Sequence, residues 1–417
     1  MEKINQCDRT ILRELASLQK EYAESERNQE LIKLWLRHNT FQGERPTIHL
    51  ELWTFENEVV EPRLRCEGKK ARDIERRLYM NFSNFELFED DKVVPGEYHV
   101  FHHTGFTPLG IEDKVTHAKD GGIGHHFDET IHDLERDFHL IKHTGYWYDK
   151  EGTYAEIDLL NDIFGDILPV KLVMNSLGAS PTQKIVHIMG MENMFTSMYD
   201  YPELFHKMMR ALTDDTIGYF RFLEEQNLIL PTVGCEGLTQ GSFCFTDELP
   251  DASVARQRRL TSHDVWGYLD SQETVGVSPD MFGEFCFPYY YEISKEYALL
   301  SYGCCEPVDA LWDRFISKFE NLRKVSISPW CDEEFMGERL AGKKIMFHRK
   351  PSPNFLGVGA VLDEDGLCGH IRKSLKAAKG CKMEIAQRDV YTINNDISKA
   401  KRYVDILRDE IDKNWQG

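Results

Sequence analysis

A chain of 417 residues is long enough for two or three average domains, and it is also a usual length for one β/α barrel with extensions. Its 41% hydrophobic residues, with 24 Phe, supply a large core, and its net charge of −20 argues against nucleic acid or an anionic membrane as a main partner, because that field repels phosphates. No charged n-region and apolar h-region opens the sequence, and no apolar run nears the ~20 residues of a bilayer span. The ten cysteines lack framework spacing. The sequence therefore reads as cytoplasmic, its cysteines being thiols, core fillers or ligands rather than disulfides.

In chain order, residues 8–38 carry apolar positions at three- and four-residue intervals among many charges, the pattern of one or two amphipathic helices. They are expected to cap a barrel or to form a dimer contact. Pro46 to Trp53 alternates like a strand and Ala71 to Phe88 returns to a helical period, together a first β/α unit. Glu97 to Phe101 is the next strand. A polar insertion then holds His102, His103, His117, His125 and His126. Such a cluster invites metal ligation, whereas its loose spacing and loop setting fit a solvated or substrate-facing lid. Tyr146-Trp147-Tyr148 and an acidic helix from Tyr154 to Phe164 lead to a third strand, Leu168 to Val173. Met189 to Phe222 reads as helix almost throughout, with Pro202 at a helix start.

From Leu228 onward one design repeats, in which an apolar segment ends abruptly in groups capable of chemistry. Leu228 to Gly234 ends at Cys235 and Glu236, and Val265 to Leu269 at Asp270, Ser271 and Gln272. The run from Tyr297 ends at Cys304, Cys305 and Glu306, Lys324 to Pro329 at Trp330, Cys331 and Asp332, and Lys344 to Phe347 at His348, Arg349 and Lys350. Lys382 to Ala386 is the last strand and 397–413 the closing helix. The glycine-rich loop Gly237 to Pro250 is a candidate lid over a strand end. Buried strands that deliver reactive groups at their C-terminal ends are what the active-site face of a parallel barrel requires. The expected fold is α/β, a (β/α)8 TIM barrel over residues 45–417 with an N-terminal helical extension over residues 1–44, its strand ends lining one cavity. Adjacent Cys304 and Cys305 in extended backbone are expected to point to opposite sides, so that only one of them binds.

The order SQETVGVSPDMFGEFCFPYYYEISK, LLSYGCCEPVDALWDRF, KVSISPW and a closing DISKAKRYVDILRDEI resembles the uroporphyrinogen decarboxylase superfamily over residues 150–415. That superfamily is a β/α barrel and contains the decarboxylase of haem synthesis together with zinc- and corrinoid-linked methyltransferases. In the methyltransferases a His-x-Cys on one strand and a second Cys on the last strand bind zinc. Carried over, Cys304 matches the zinc cysteine, Tyr302 replaces the histidine and Cys305 replaces a glycine. The last strand, KMEIAQRDVY, has Cys381 at its start and no cysteine at its C-terminal end. Either zinc is held by Cys304 with Cys331 and Glu236, or it has been lost. The arginine-rich substrate loop of the decarboxylase has no counterpart here.

The resemblance implies a methyltransferase that moves a methyl group between a small O-, N- or S-methylated substrate and a corrinoid protein. Zinc with three protein ligands and one open position would polarise the oxygen or sulfur that the methyl leaves. No Asp-x-His-x-x-Gly motif occurs, so the corrinoid would arrive on a separate carrier. The candidate catalytic residues are His348, Asp270 and Tyr302. Trp266, Tyr268, Gln272 and Trp330 are candidate substrate contacts, Gln272 by hydrogen bonding and the three aromatic residues as walls of an apolar pocket. A homodimer is expected by analogy. Two other readings stand beside this one: a decarboxylase-type carboxy-lyase acting without metal through a carboxylate or arginine site, and a non-catalytic barrel that binds a tetrapyrrole or a protein partner.

Overall fold

The computed structural model describes residues 4–117 and 124–416. Besides two short antiparallel pairs in the 104–148 region, the strands are β1 (Thr47–Leu50), β2 (Tyr98–Phe101), β3 (Val170–Val173), β4 (Leu177–Ala179), β5 (Gly237–Thr239), β6 (Ser242–Phe243), β7 (Trp266–Leu269), β8 (Leu299–Tyr302), β9 (Leu322–Ile327), β10 (Met346–Arg349) and β11 (Met383–Gln387). Seven of them make one parallel sheet in the order β1-β11-β10-β9-β8-β7-β4. β7, β8 and β10 are buried along their whole length, as strands of a parallel sheet covered on both faces must be.

The fold is therefore mixed α/β with the expected parallel strands, but strand pairing among the described residues does not close a barrel. β1 and β4 are the sheet edges, and β2 pairs in parallel only with β3. The expected strand over Leu228 to Gly234 is absent. Pro231 offers no N–H to a ladder, and the Oγ1 of Thr232 accepts the Trp266 N–H at 2.9 Å where a backbone carbonyl would stand. The segment runs on into the antiparallel hairpin β5–β6, which the sequence reading had placed in a lid. Instead the hairpin sits against the inner face of the sheet. Its Gly241 carbonyl accepts from His49 Nδ1 of β1 at 2.7 Å, its Ser242 meets Lys324 of β9 and Glu384 of β11, and its Leu238 packs on Trp266 of β7. Its tip, Thr239-Gln240-Gly241, has three successive positive φ angles of 90°, 53° and 78°.

The N-terminal segment forms two helices, α1 (Gln6–Glu24), capped by Asn5, and α2 (Glu26–Asn39), capped by Ser25. Both helices pack on the sheet's core. Leu12, Leu15, Leu31 and Trp35 join the same core as the sheet, and Asn39 donates to the carbonyls of Phe243 and Phe245 in the hairpin. The helical stretch expected over Met189 to Phe222 is two helices, α3 (Pro181–Asp200) and α4 (Pro202–Glu225), the second starting at Pro202 as expected. The break falls at Tyr201, which a following proline pushes out of the helical region. A closing helix, α5 (Ile397–Asn414), packs beside β1. Among the described residues no helix is long and apolar enough to cross a membrane.

Deep inside the curve lies a charged cluster. Lys324 Nζ donates to Glu384 Oε2 at 2.9 Å, to Ser242 Oγ at 2.7 Å and to Asn39 Oδ1 at 2.9 Å. His348 Nδ1 is 3.3 Å and His38 Nε2 3.7 Å from the same carboxylate. Burial favours the uncharged forms of both imidazoles and holds their pKa values well below the usual histidine range. Lys324→Met, which leaves Glu384 buried without its cation, is expected to lower stability by about 3–5 kcal/mol in guanidinium unfolding. Adding Glu384→Gln should return part of that loss. Unchanged stability in the single variant would remove the pair from the account of the fold.

Candidate active site

The C-terminal ends of β7, β8, β10 and β11 meet at one point, and the residues just beyond them build the site. After β8 the chain turns at Gly303, whose φ of 96° lies in the region that favours glycine. A Cβ there would stand 3.1 Å from Ser326 Cβ. The turn ends the strand alternation at once, so Cys304 and Cys305 do not point apart as expected. Their Sγ atoms lie 3.5 Å from each other.

Cations close around this pair. Along β10 alternate side chains share a face, so His348 lies deep in the interior while Lys350 reaches the strand ends. Lys350 Nζ donates to the Cys304 carbonyl at 2.8 Å and to Gln240 Oε1 at 2.9 Å. Arg388, directly after β11, places Nη1 at 3.6 Å from Cys304 Sγ, bonds the same Gln240 oxygen, and donates Nε to Glu51 at 2.7 Å. The Cys305 thiol donates toward Cys304 and is the largest influence on it. With Lys350 and Arg388 it outweighs burial and brings Cys304 down to about 6. The cost falls on Cys305, whose own thiol is pushed far up, first by that hydrogen bond and then by burial. Cys305 Sγ also lies 3.6 Å from Asp389 Oδ2.

Two carboxyl groups complete the site. Glu306 accepts the N–H groups of Ser271 at 3.0 Å and Cys304 at 2.7 Å, yet burial, joined by Asp270, lifts it to about 7. Asp270 Oδ2 accepts from the Tyr268 hydroxyl at 2.6 Å, while its Oδ1 has no hydrogen-bond partner. Burial raises the Asp270 carboxyl too. Beside these groups opens a cleft of ≈ 550 Å³ lined by Met191, Gln272, Glu273, Val275, Cys305, Pro307 and Trp330.

Of the residues expected from the sequence, Cys304, Asp270 and Tyr268 come together at the strand ends, and Gln272 and Trp330 line the cleft beside them. The others do not line the cleft. Trp266, at the start of β7, is fully buried and donates its indole N–H to the Cys244 carbonyl at 2.9 Å, which makes it core. Tyr302 is also buried, its hydroxyl 2.7 Å from Ser271 Oγ, and burial holds its phenol far above the usual range. His348 faces Glu384 and does not reach the cleft. The expected zinc set is not assembled. Cys331 turns toward Asp309, which together with burial raises its thiol, and Glu236 is occupied by the Gly234 N–H at 2.7 Å. Among the described residues no three His, Cys, Asp or Glu side chains gather closely enough to hold a metal ion. The strand end assigned to a second zinc cysteine carries Arg388 instead.

Among the described residues the histidines of the insertion form no metal-ligating group either. His102 packs edge-on to Tyr148, His103 pairs with Glu156 at 2.8 Å, and His117 faces His125 across a short strand pair. Residues 118–123 of that loop lie outside the described residues. The sequence reading missed Arg388 and Asp389. Their signal was the one used elsewhere, polar residues directly after an apolar strand.

No family model matches the chain, and no curated protein matches it. A solved structure described as a methyltransferase from Methanosarcina mazei is similar at a TM-score of 0.49 and 11% identity, over 92% of this chain and 98% of that one.

The Cys304 thiol is the site's most testable feature. Because it titrates lower in the folded chain than unfolded, its thiolate stabilises the fold above the unfolded pKa, and that contribution is lost as pH falls through about 6. Alkylation of Cys304 by iodoacetamide, followed by peptide mass spectrometry, is expected to rise through the same midpoint. In Lys350→Met the midpoint should move up toward the ordinary thiol value of about 8.5. A wild-type midpoint already at that value would show that the neighbours do not hold a thiolate.

Proposed function

We propose that this chain is an enzyme that takes a methyl group from a small methylated compound, with Cys304 as the thiolate that meets the methyl carbon. The observation that carries this reading is a buried thiol held toward its anion by Cys305, Lys350 and Arg388 at the C-terminal ends of parallel strands. A lowered thiol beside cations is the usual form of a cysteine nucleophile. In the transfer, a bond forms between Cys304 Sγ and the methyl carbon as the bond from that carbon to oxygen or sulfur breaks. The leaving atom departs with the bonding pair. Lys350 and Arg388 stabilise the charge it gains, which is the help that zinc gives elsewhere, and Asp270, whose carboxyl burial raises, is the acid placed beside them. Two cations beside the thiol disfavour a quaternary ammonium substrate, so O-methyl and S-methyl compounds suit the site better than N-methyl ones.

The residues present do not fit zinc, and no step is assigned to it. A corrinoid carrier protein remains the partner that the sequence resemblance implies, with the open cleft at Trp330 as its approach, and self-association remains an expectation of the same kind.

A second reading has one observation in its favour. Lys350 and Arg388 beside two carboxyl groups raised by burial are also what a metal-free decarboxylation uses, the cations to orient a carboxylate and an acid to protonate the carbanion. The two readings differ in product. Incubation with trideuteromethyl ethers and thioethers, followed by mass spectrometry of the Cys304 peptide, should show a labelled methyl on Cys304. It should be missing in Cys304→Ser and form about 10²–10⁴ times more slowly in Asp270→Asn. Carbon dioxide release from carboxylated substrates with Cys304 never labelled would put the lyase first.

A further inference from the structure

Cys305 has no part in the transfer beyond its hydrogen bond, yet its placement is specific. It lines the cleft, its Sγ is 3.5 Å from that of Cys304, and Asp389 Oδ2 stands 3.6 Å from it. One buried thiol held toward its anion, one thiol that lines the cleft in contact with it and one carboxylate able to accept that second thiol's proton are the parts of a two-cysteine redox site. The charged groups facing it are Lys350 and Arg388 beside Cys304, Asp389 beside Cys305, and Asp270 and Glu306 beneath.

We propose that Cys304 and Cys305 form a redox-active dithiol, which a hydroperoxide closes to a disulfide between neighbouring residues. Cys304 Sγ attacks one peroxide oxygen, the O–O bond breaks, and the departing oxygen takes the bonding pair and a proton from solvent in the cleft. Cys305 gives its proton to Asp389 and its Sγ attacks Cys304 Sγ. The S–O bond then breaks, and the hydroxide leaves with that proton as water. Two thiols and one hydroperoxide thus become a disulfide, an alcohol and water, the sulfurs being oxidised and the peroxide reduced. Consecutive Cα atoms lie about 3.8 Å apart, closer than the ~4.4–6.8 Å of ordinary disulfides. Ring strain therefore makes this disulfide readily reduced by small thiols, so the closure is reversible. The inference shares with the function above the nucleophilic character of Cys304, but it requires no methylated substrate.

Trypsin cleaves after Lys295 and Arg314 and releases a peptide that carries both cysteines and no other. After limiting hydrogen peroxide and maleimide blocking of the full chain, this peptide should be two hydrogens lighter and carry no maleimide. Dithiothreitol should restore both maleimide sites. In Cys305→Ser, dimedone should trap a sulfenic acid on Cys304 that the wild-type chain does not accumulate. A wild-type peptide that keeps both maleimide groups, or that carries dimedone or a sulfinic acid on Cys304 with Cys305 still free, overturns the proposal. The wild-type readout needs neither a variant nor a methyl donor, so a failed methyl transfer leaves this test intact.

Discussion

The Lys324 ammonium joins four parts of the chain that lie far apart in sequence. It belongs to β9 and bonds the end of α2 at Asn39, the hairpin at Ser242 and the last strand at Glu384. A charge so buried is tolerable only with its partners in place, because desolvation otherwise outweighs anything it gains. The interior is thus filled by a hairpin and an ion cluster as well as by apolar layers. Nothing in this position could shift without unpairing a charge, and on it stand His348 and, one step nearer the strand ends, Lys350.

At the strand ends the same economy of charge serves reactivity. A thiolate beside a metal is held by the metal; here a thiol, an ammonium and a guanidinium do that work together. Gln240 Oε1 receives both cations and keeps them near Cys304, while Glu51 fixes the other side of Arg388. The strained tip that carries Gln240 has the character of backbone held in place by its surroundings, as functional sites commonly show.

Much of this was legible in the sequence. The apolar runs around Trp266, Leu300, Val325, Phe347 and Ile385 became strands, and the polar residues after them, Asp270, Cys304 and Lys350 among them, converged. What failed did so for local reasons. Leu228 to Gly234 has the composition of a strand, but Pro231 and the Thr232 side chain take it out of the ladder. Cys304 and Cys305 would alternate in a strand, and a single positive φ at Gly303 brings them together. Cys331 follows a strand end as well, yet the turn after Pro329 aims it at Asp309. His348 looked exposed to substrate because the sequence does not tell how far along a strand the interior extends.

The pairing of β1 with β11 sets the order in which the molecule can be made. Contacts such as Glu51 with Arg388 and Thr54 with the Val390 carbonyl span more than three hundred positions, and loops of that length close late and slowly. During synthesis Lys324 and Cys304 leave the ribosome before Glu384 and Arg388 exist to meet them. Until the last strand docks, the ammonium has no carboxylate and the thiol lacks one of its two cations. The last of the groups that act on the cysteine therefore arrives only as the fold is completed, and a chain cut short before β11 lacks it.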